Sequence, residues 1–463
     1  MKFLVSLVLI VALAAGGAYL YAGRLPGPTI ELIKPEKFVG LSTPAEILVG
    51  APGSQLKALT ITIEQNGKQF PLYTLGQEGG EVKQEVKEEQ KDGVTMLRVT
   101  RDIGKQSVPE LVSGPARILV TASQPVMRGI RVAENTVVKD IQVRLERPRV
   151  SVISTHHFIN HGGAEVVVYR ATPDDIVSGV VVGDTEYPGY PAATAGVPGI
   201  DVKDPAVKVA FFALRHDQDL ATPIRVFGRD EAGNVARAEF DKRVFPKPFK
   251  KSRIEVTDAL IDRVVPAILE GTTEIKPEGD NLAKFLAINS ELRQKNAEKI
   301  ASFSKQTAKE MLWTGQVFHA FKNNAVESAF ADARTYIYNG KEVDRQTHLG
   351  FDLASFTGTP IVAANRGKVL FADDLGIYGN CVIIDHGMGV QSLYAHLSSM
   401  DVKVGEMVDK EQQLGRSGMT GMAGGDHLHF TMLINGHMVN PVEWWDAHWI
   451  EDRILRKLRA AGS

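Results

Sequence analysis

"HLHFTMLINGHMV", residues 427–439, decides how the C-terminal third of the chain is read. Apolar and polar residues alternate, and asparagine and glycine bound the run, which is a strand pattern and not a helical one. The same grammar runs from Trp313 to Pro441, through "GTPIVAANRGKVLFADD", "NCVIIDHG" and "QSLYAHLS". These β-branched or alternating segments predict an all-β domain. Side chains on a strand repeat with period two, so His427 and His429 face the same way, their Cα atoms about 6.6 Å apart. Both can reach one metal ion, or one can bind while the other does chemistry beside it. Spacing alone leaves both readings open.

Two further pieces of the same region carry imidazole or carboxylate, natural ligands for zinc. They are "HLGFD", with His348 and Asp352, and "YAHLS", with His396. His348 and Asp352 share a face by parity, but an extended strand would set them roughly 13 Å apart. Both can hold one ion only if the chain curves between them. Gly350, at the midpoint, is where a kink costs least.

Around these residues the sequence resembles the lysostaphin-type (LytM-domain) zinc metallopeptidases, which cut the peptide part of bacterial cell wall. The resemblance covers about 313–441 and includes "RQTHLGFDLAS", "GTPIVAANRGKV", "GIYGNCVIIDHG", "QSLYAHLS", "VKVGEMVDKEQQLGRSGMTGMAGGDHLHF" and "NPVEWW". One HxH is weak evidence; HxxxD, a central AH and HxH in that order, on this glycine framework, are specific. The resemblance implies that His348, Asp352 and His429 bind one Zn²⁺, and that His396 and His427 are the catalytic pair around the attacking water. Three protein ligands leave a fourth position open, as a catalytic zinc needs. Two near-neutral imidazoles suit proton transfer and oxyanion stabilisation. The chain departs from the family in one place. Relatives read Ser-x-Phe-Gly ahead of the first ligand, whereas "SAFADAR" places Ala331 at the glycine position.

The rest of the 463 residues is organised around this domain. The composition is that of a globular protein, 44% apolar and 23% charged, with a net charge of −2 and no basic excess to suggest nucleic acid. The single cysteine, Cys381, excludes an intramolecular disulfide and reads as a buried small hydrophobe. Residues 1–24 carry an apolar run between Lys2 and Arg24, long enough to cross ~30 Å of hydrocarbon as a helix. It is read as an anchor in the inner membrane in preference to a cleaved signal peptide. Either reading places the bulk of the chain in the periplasm or otherwise outside the cytoplasm.

Residues 25–146 predict a β-sandwich-like module, with "ALTITIEQNGKQFPLYTL" turning at Asn66-Gly67. A second β module is expected over 147–245. A basic linker and helical segment follow over 246–312, the catalytic domain over 313–445, and a helical tail over 446–463. "KRVFPKPFKKSR", 242–253, reads as a solvated connector. Beyond it Leu282, Phe285, Leu286, Asn289, Leu292 and Asn296 recur at helical spacing, two of them asparagines, while Pro266, Gly271 and Pro277 divide the helices.

Other histidines read as structural. His156, His157 and His161 fall in a polar loop, His386 in a turn after a strand, and His216, His319, His437 and His448 are isolated. Tyr378 and Asn380 belong to a "YGN" turn, with a place in the substrate groove as the alternative. The expectation is a mainly β envelope protein whose C-terminal domain is a zinc endopeptidase acting on peptidoglycan peptides. The alternatives are a non-catalytic scaffold or activator of another wall hydrolase, and a protease of ordinary secreted protein.

Overall fold

The structure is a computed structural model. It describes the chain except residues 1, 77–83, 92, 198–201, 314, 320, 322–323 and 463, and the side chains of residues 2–5 and 8. It divides into two compact units, residues 1–148 with 229–235, and residues 149–228 with 236–463.

In the first unit, alternating apolar residues build two sheets. One is ordered Thr29–Lys34, Thr43–Gly50, Val94–Ile103, Gln84–Lys91. The other is ordered Phe38–Val39, Arg131–Val143, Gly114–Val126, Ala58–Gln65, Lys68–Thr74. Strand Ala58–Gln65 buries every second residue, and Ile61 and Ile63 pair with Val120 and Ile118 in the core. Asn66 and Gly67 both adopt positive φ (52° and 77°), which matches the twist of a two-residue hairpin.

An N-terminal helix forms over Lys2–Ala22. Its end packs against strand Arg131–Val143, with the Arg131 guanidinium 5.1 Å from the Tyr19 ring and Ala22 buried. Among the described residues, however, no helix is long and apolar enough to cross a membrane, so the transmembrane anchor expected there is not supported.

The second unit has one continuous apolar core, running from Ile159 through the helices to Leu458. Ala164–Thr172 and Val207–Ala213 pair at its start. The basic stretch expected to be a connector is largely strand. Lys242–Phe245 pairs in parallel with His157–Asn160, and Lys251–Glu255 with Asp332–Tyr338. The cations Lys251 and Arg253 are tolerated because they point outward while Ser252 and Ile254 turn in.

Helix Asp258–Gly271 runs through Pro266 without breaking, because Ile261, Val264, Val265 and Ile268 bury one face. Asn281–Ala287 follows, capped by Asp280, whose side chain accepts from Ala283 N. A π-helical turn, Ile288–Leu292, then leads into Arg293–Ser302. Phe285, Ile288 and Leu292 are fully buried, each contributing about 2 kcal/mol of burial.

The C-terminal sheet has eight strands. Ala325–Ser328, Phe351–Ala354, Leu428–Ile434, Val390–Leu397, Asn380–Gly387, Gly367–Asp374 and Met407–Val408 lie in that order, and His437–Val439 hairpins back onto Leu428–Ile434. The tail after Trp445 is helical and seats Trp449, Ile450, Ile454 and Leu458 in the shared core.

Candidate metal centre and active site

Three adjacent strands of the eight-stranded sheet supply most of the site. Asp352 pairs directly with His429, and His429 with Ala395, the residue before His396. His348 arrives from a different sheet. It ends strand Lys341–His348, the chain breaks at Leu349-Gly350, and Phe351–Ala354 begins in the large sheet. This change of sheet is the curvature that the HxxxD spacing requires. Gly350 matters for closeness more than for a kink, since a Cβ there would lie 2.5 Å from both Cε1 and Nε2 of the His429 ring.

The polar atoms converge. His348 Nε2 lies 2.9 Å from Asp352 Oδ1 and 3.0 Å from His429 Nδ1, and those two atoms are themselves 3.0 Å apart. Among the described residues these three side chains are the group able to hold a metal ion. His427 Nε2 approaches Asp352 Oδ1 at 3.4 Å. The His396 ring lies 4.8 Å from that of His427 and 5.8 Å from that of His429. All five residues line one pocket.

Backbone carbonyls set the tautomers. Nδ1 of His348 faces Ala329 O at 3.1 Å, Nδ1 of His396 faces Thr420 O at 2.9 Å, and Nδ1 of His427 faces Gly425 O at 2.9 Å. A carbonyl only accepts, so each Nδ1 carries a proton, and in the neutral ring Nε2 turns a lone pair inward. In the neutral ring His348 Nε2 thus turns its lone pair toward Asp352 Oδ1 and His429 Nδ1, while His429 Nε2 is buried with no partner. Such a set repels itself unless a cation sits among it, and two imidazoles with one carboxylate suit zinc. The residues therefore fit that ion.

Neighbours brace the trio. Arg334 Nη2 donates to Asp352 Oδ2 at 3.0 Å and to Ser328 Oγ at 2.8 Å. Burial alone pushes the Asp352 carboxyl up, but hydrogen bonds from His348, His427 and His429, which these rings donate when protonated, together outweigh it and hold it well below the usual range. Burial drives His396 well below the ordinary histidine value and His429 down to about 4. At His427 burial pulls down, but the Asp352 hydrogen bond and charge prevail and raise it. His396 itself sits at φ 62°, a backbone region costly for a residue with a Cβ.

A family model for peptidase family M23 matches residues 346–441. These residues form a peptidase family M23 domain. Over 95 residues the chain is 44% identical to the DD-carboxypeptidase/endopeptidase Mpg of Neisseria meningitidis serogroup B, covering 20% of this chain and 22% of that protein. Over 96 residues it is 38% identical to the peptidoglycan DD-endopeptidase ShyA of Vibrio cholerae serotype O1, covering 21% and 22%. The aligned part thus spans under a quarter of the length of these curated relatives. Among solved structures, the catalytic domain of lysostaphin from Staphylococcus simulans is similar at 29% identity, over 26% of this chain and 90% of that one, with a TM-score of 0.23.

The M23 domain brings together all five residues singled out from the sequence. It also shows residues that sequence reasoning passed over. Arg334 lies in "SAFADAR", whose sequence signal is its missing glycine, and Ala331 there does take the left-handed backbone (φ 60°) that glycine favours. Arg293 lies outside the M23 domain yet lines its pocket. Tyr378, expected in a turn with a groove role as the alternative, lines the pocket too and packs its ring 5.5 Å from that of His429.

Two other histidines are placed differently from expectation. His157 is a buried strand residue, its ring bonded to Ser154 Oγ and Asp241 O. His386 is a fully buried strand residue held by Arg366 O and Ser392 Oγ. In both, satisfied ring nitrogens permit the burial. Cys381 is buried, as read.

Proposed function

We propose that the chain is a zinc-dependent endopeptidase that hydrolyses peptide cross-links of bacterial peptidoglycan in the cell envelope. The observation that carries this reading is the meeting of His348 Nε2, Asp352 Oδ1 and His429 Nδ1 within about 3 Å of one another, beside His396 and His427, inside an M23 domain. The substrate class is drawn from relatives named as peptidoglycan DD-endopeptidases.

In this reading His348, Asp352 and His429 hold the metal. Bound zinc supplies a Lewis acid that polarises the scissile carbonyl and acidifies water. The Nδ1 bonds to Thr420 and Gly425 fix the His396 and His427 rings with Nε2 inward. From there the pair takes the proton of the attacking water and stabilises the oxyanion. Arg334 holds the second oxygen of Asp352, so that Oδ1 stays aimed at the metal position. The helical segment, packed in the same core, positions the catalytic domain.

The test is the purified full chain, loaded with zinc, on isolated sacculi and on casein, with metal content measured in parallel. His429→Ala is expected to lose both metal and activity, and His427→Ala to keep metal and lose turnover. Release of no wall peptides by zinc-replete wild type would refute the endopeptidase and favour a scaffold. Cleavage of casein alone would move the substrate to ordinary protein.

A further inference from the structure

The helical segment delivers one cation into the pocket of the M23 domain. Arg293 stands where the π turn Ile288–Leu292 passes into helix Arg293–Ser302, and it lines the same pocket as His348, Asp352 and His429. Its seat is built for it. Nε donates to Asn289 O at 2.9 Å, and Nη2 donates to Asn289 Oδ1 at 2.6 Å and lies 3.6 Å from Met422 Sδ. Asn289 is fully buried, and its own Nδ2 is tied to Asp344 Oδ2 at 2.7 Å.

Every one of these partners of Arg293 is neutral. Among the described residues no carboxylate pairs with it, and Nη1 donates to none of them. The free oxygen of Asp352 is already taken by Arg334. A guanidinium stays charged at any working pH and offers a planar fork matched to a carboxylate. A cation fixed by neutral groups beside a reaction centre is a receptor for an anionic part of the substrate.

We propose that Arg293 binds a free carboxylate of the peptide substrate, so that the helical segment, outside the M23 domain, selects which peptides the site accepts. This rests on the endopeptidase reading, in which the scissile amide lies over the metal trio. Cross-linked peptides carry free carboxylates at their chain ends and branch points, close in sequence to that amide. The two asparagines that interrupt the helical pattern serve this arrangement. Asn289 grips the guanidinium, and Asn296 Oδ1 accepts from Ile377 N at 3.0 Å, tying the helix to the turn that carries Tyr378.

The experiment uses full-length wild type, Arg293→Gln and Arg293→Lys. The probes are a peptide dimer purified from peptidoglycan and the same dimer with its carboxylates converted to carboxamides, and binding is measured by calorimetry at low salt. Wild type is expected to prefer the acid by tenfold or more. Arg293→Gln is expected to bind the two alike at the affinity wild type shows for the amide, and Arg293→Lys to keep part of the preference. Equal weakening of both peptides in Arg293→Gln would make the residue structural and overturn the proposal, as would a wild type that does not discriminate or binds neither. Hydrolysis is read separately in the same samples. A wild type that prefers the acid but cuts neither dimer refutes the endopeptidase and leaves Arg293 as a carboxylate receptor.

Discussion

Asp352 and His429 sit directly opposite one another on antiparallel strands, Oδ1 of one 3.0 Å from Nδ1 of the other. Register alone brings these two proposed ligands together. The third, His348, depends on a change of sheet, and the aim of Asp352 depends on Arg334.

Arg334→Gln should therefore weaken metal binding without unfolding the chain. Loss of a group that orients a ligand typically costs 10–100-fold in metal affinity. Chelator competition on folded wild type and variant measures it; an unchanged affinity would show that Asp352 needs no such brace.

Gly350→Ala places a methyl carbon against the His429 ring, where the present separation from an ideal Cβ is 2.5 Å. The ring must turn, and it carries a proposed ligand. We expect zinc stoichiometry to drop well below one per chain while the far-ultraviolet dichroism is retained. Full loading of the variant would refute this role for the glycine.

Ala331 pays for its left-handed backbone with roughly 1–2 kcal/mol of steric cost. Substitution by glycine relieves that cost but gives up a buried methyl and adds unfolded-state entropy, about 0.8 and 0.5–1 kcal/mol. Ala331→Gly should thus fall within about 1 kcal/mol of wild type. Ala331→Val, branched at a positive φ and buried, should lose more than ~2 kcal/mol. Denaturant midpoints of the two variants test the contrast, which fails if valine is tolerated.

Glu443 makes stability depend on pH. Burial pushes its carboxyl up to about 7, against hydrogen bonds from Ala164 N and Asn160 that pull it down. Between about 4.5 and 7 the folded chain holds a proton that the unfolded chain has released. Stability present below pH 4.5 is accordingly lost as pH rises towards 7, by an amount on the order of 3 kcal/mol. Buried His157 and His386, both lowered to about 4, act in the opposite sense, adding stability as pH rises through about 4–6.5. The difference between wild type and Glu443→Gln isolates the carboxyl; a difference that stays flat from pH 5 to 8 would contradict the assignment.

Much of this was legible in the chain. Period-two patterning announces a mainly β molecule, and the order HxxxD, AH, HxH picks out five side chains that the fold gathers into one pocket. What sequence could not carry was direction. A histidine sealed in a strand by two ring hydrogen bonds, as at 157 and 386, looks like a loop histidine when glycine or serine stands nearby. A basic run such as 251–255 looks like a tether although alternate residues turn inward. Arg334 and Arg293 were hidden for another reason. One lies in a motif whose visible signal is a missing glycine, and the other on a helix whose period reports packing and is silent about a residue that turns toward a neighbouring domain's cleft.

The continuous core of the second unit decides what can be cut from it. The 346–441 span shared with its relatives is not a detachable cassette here. Excising it would strip Phe285, Leu292 and Trp449 from their neighbours and leave sticky surface where helices had been. A fragment cut to that span would need polar replacements along the seam before it could stand alone in water.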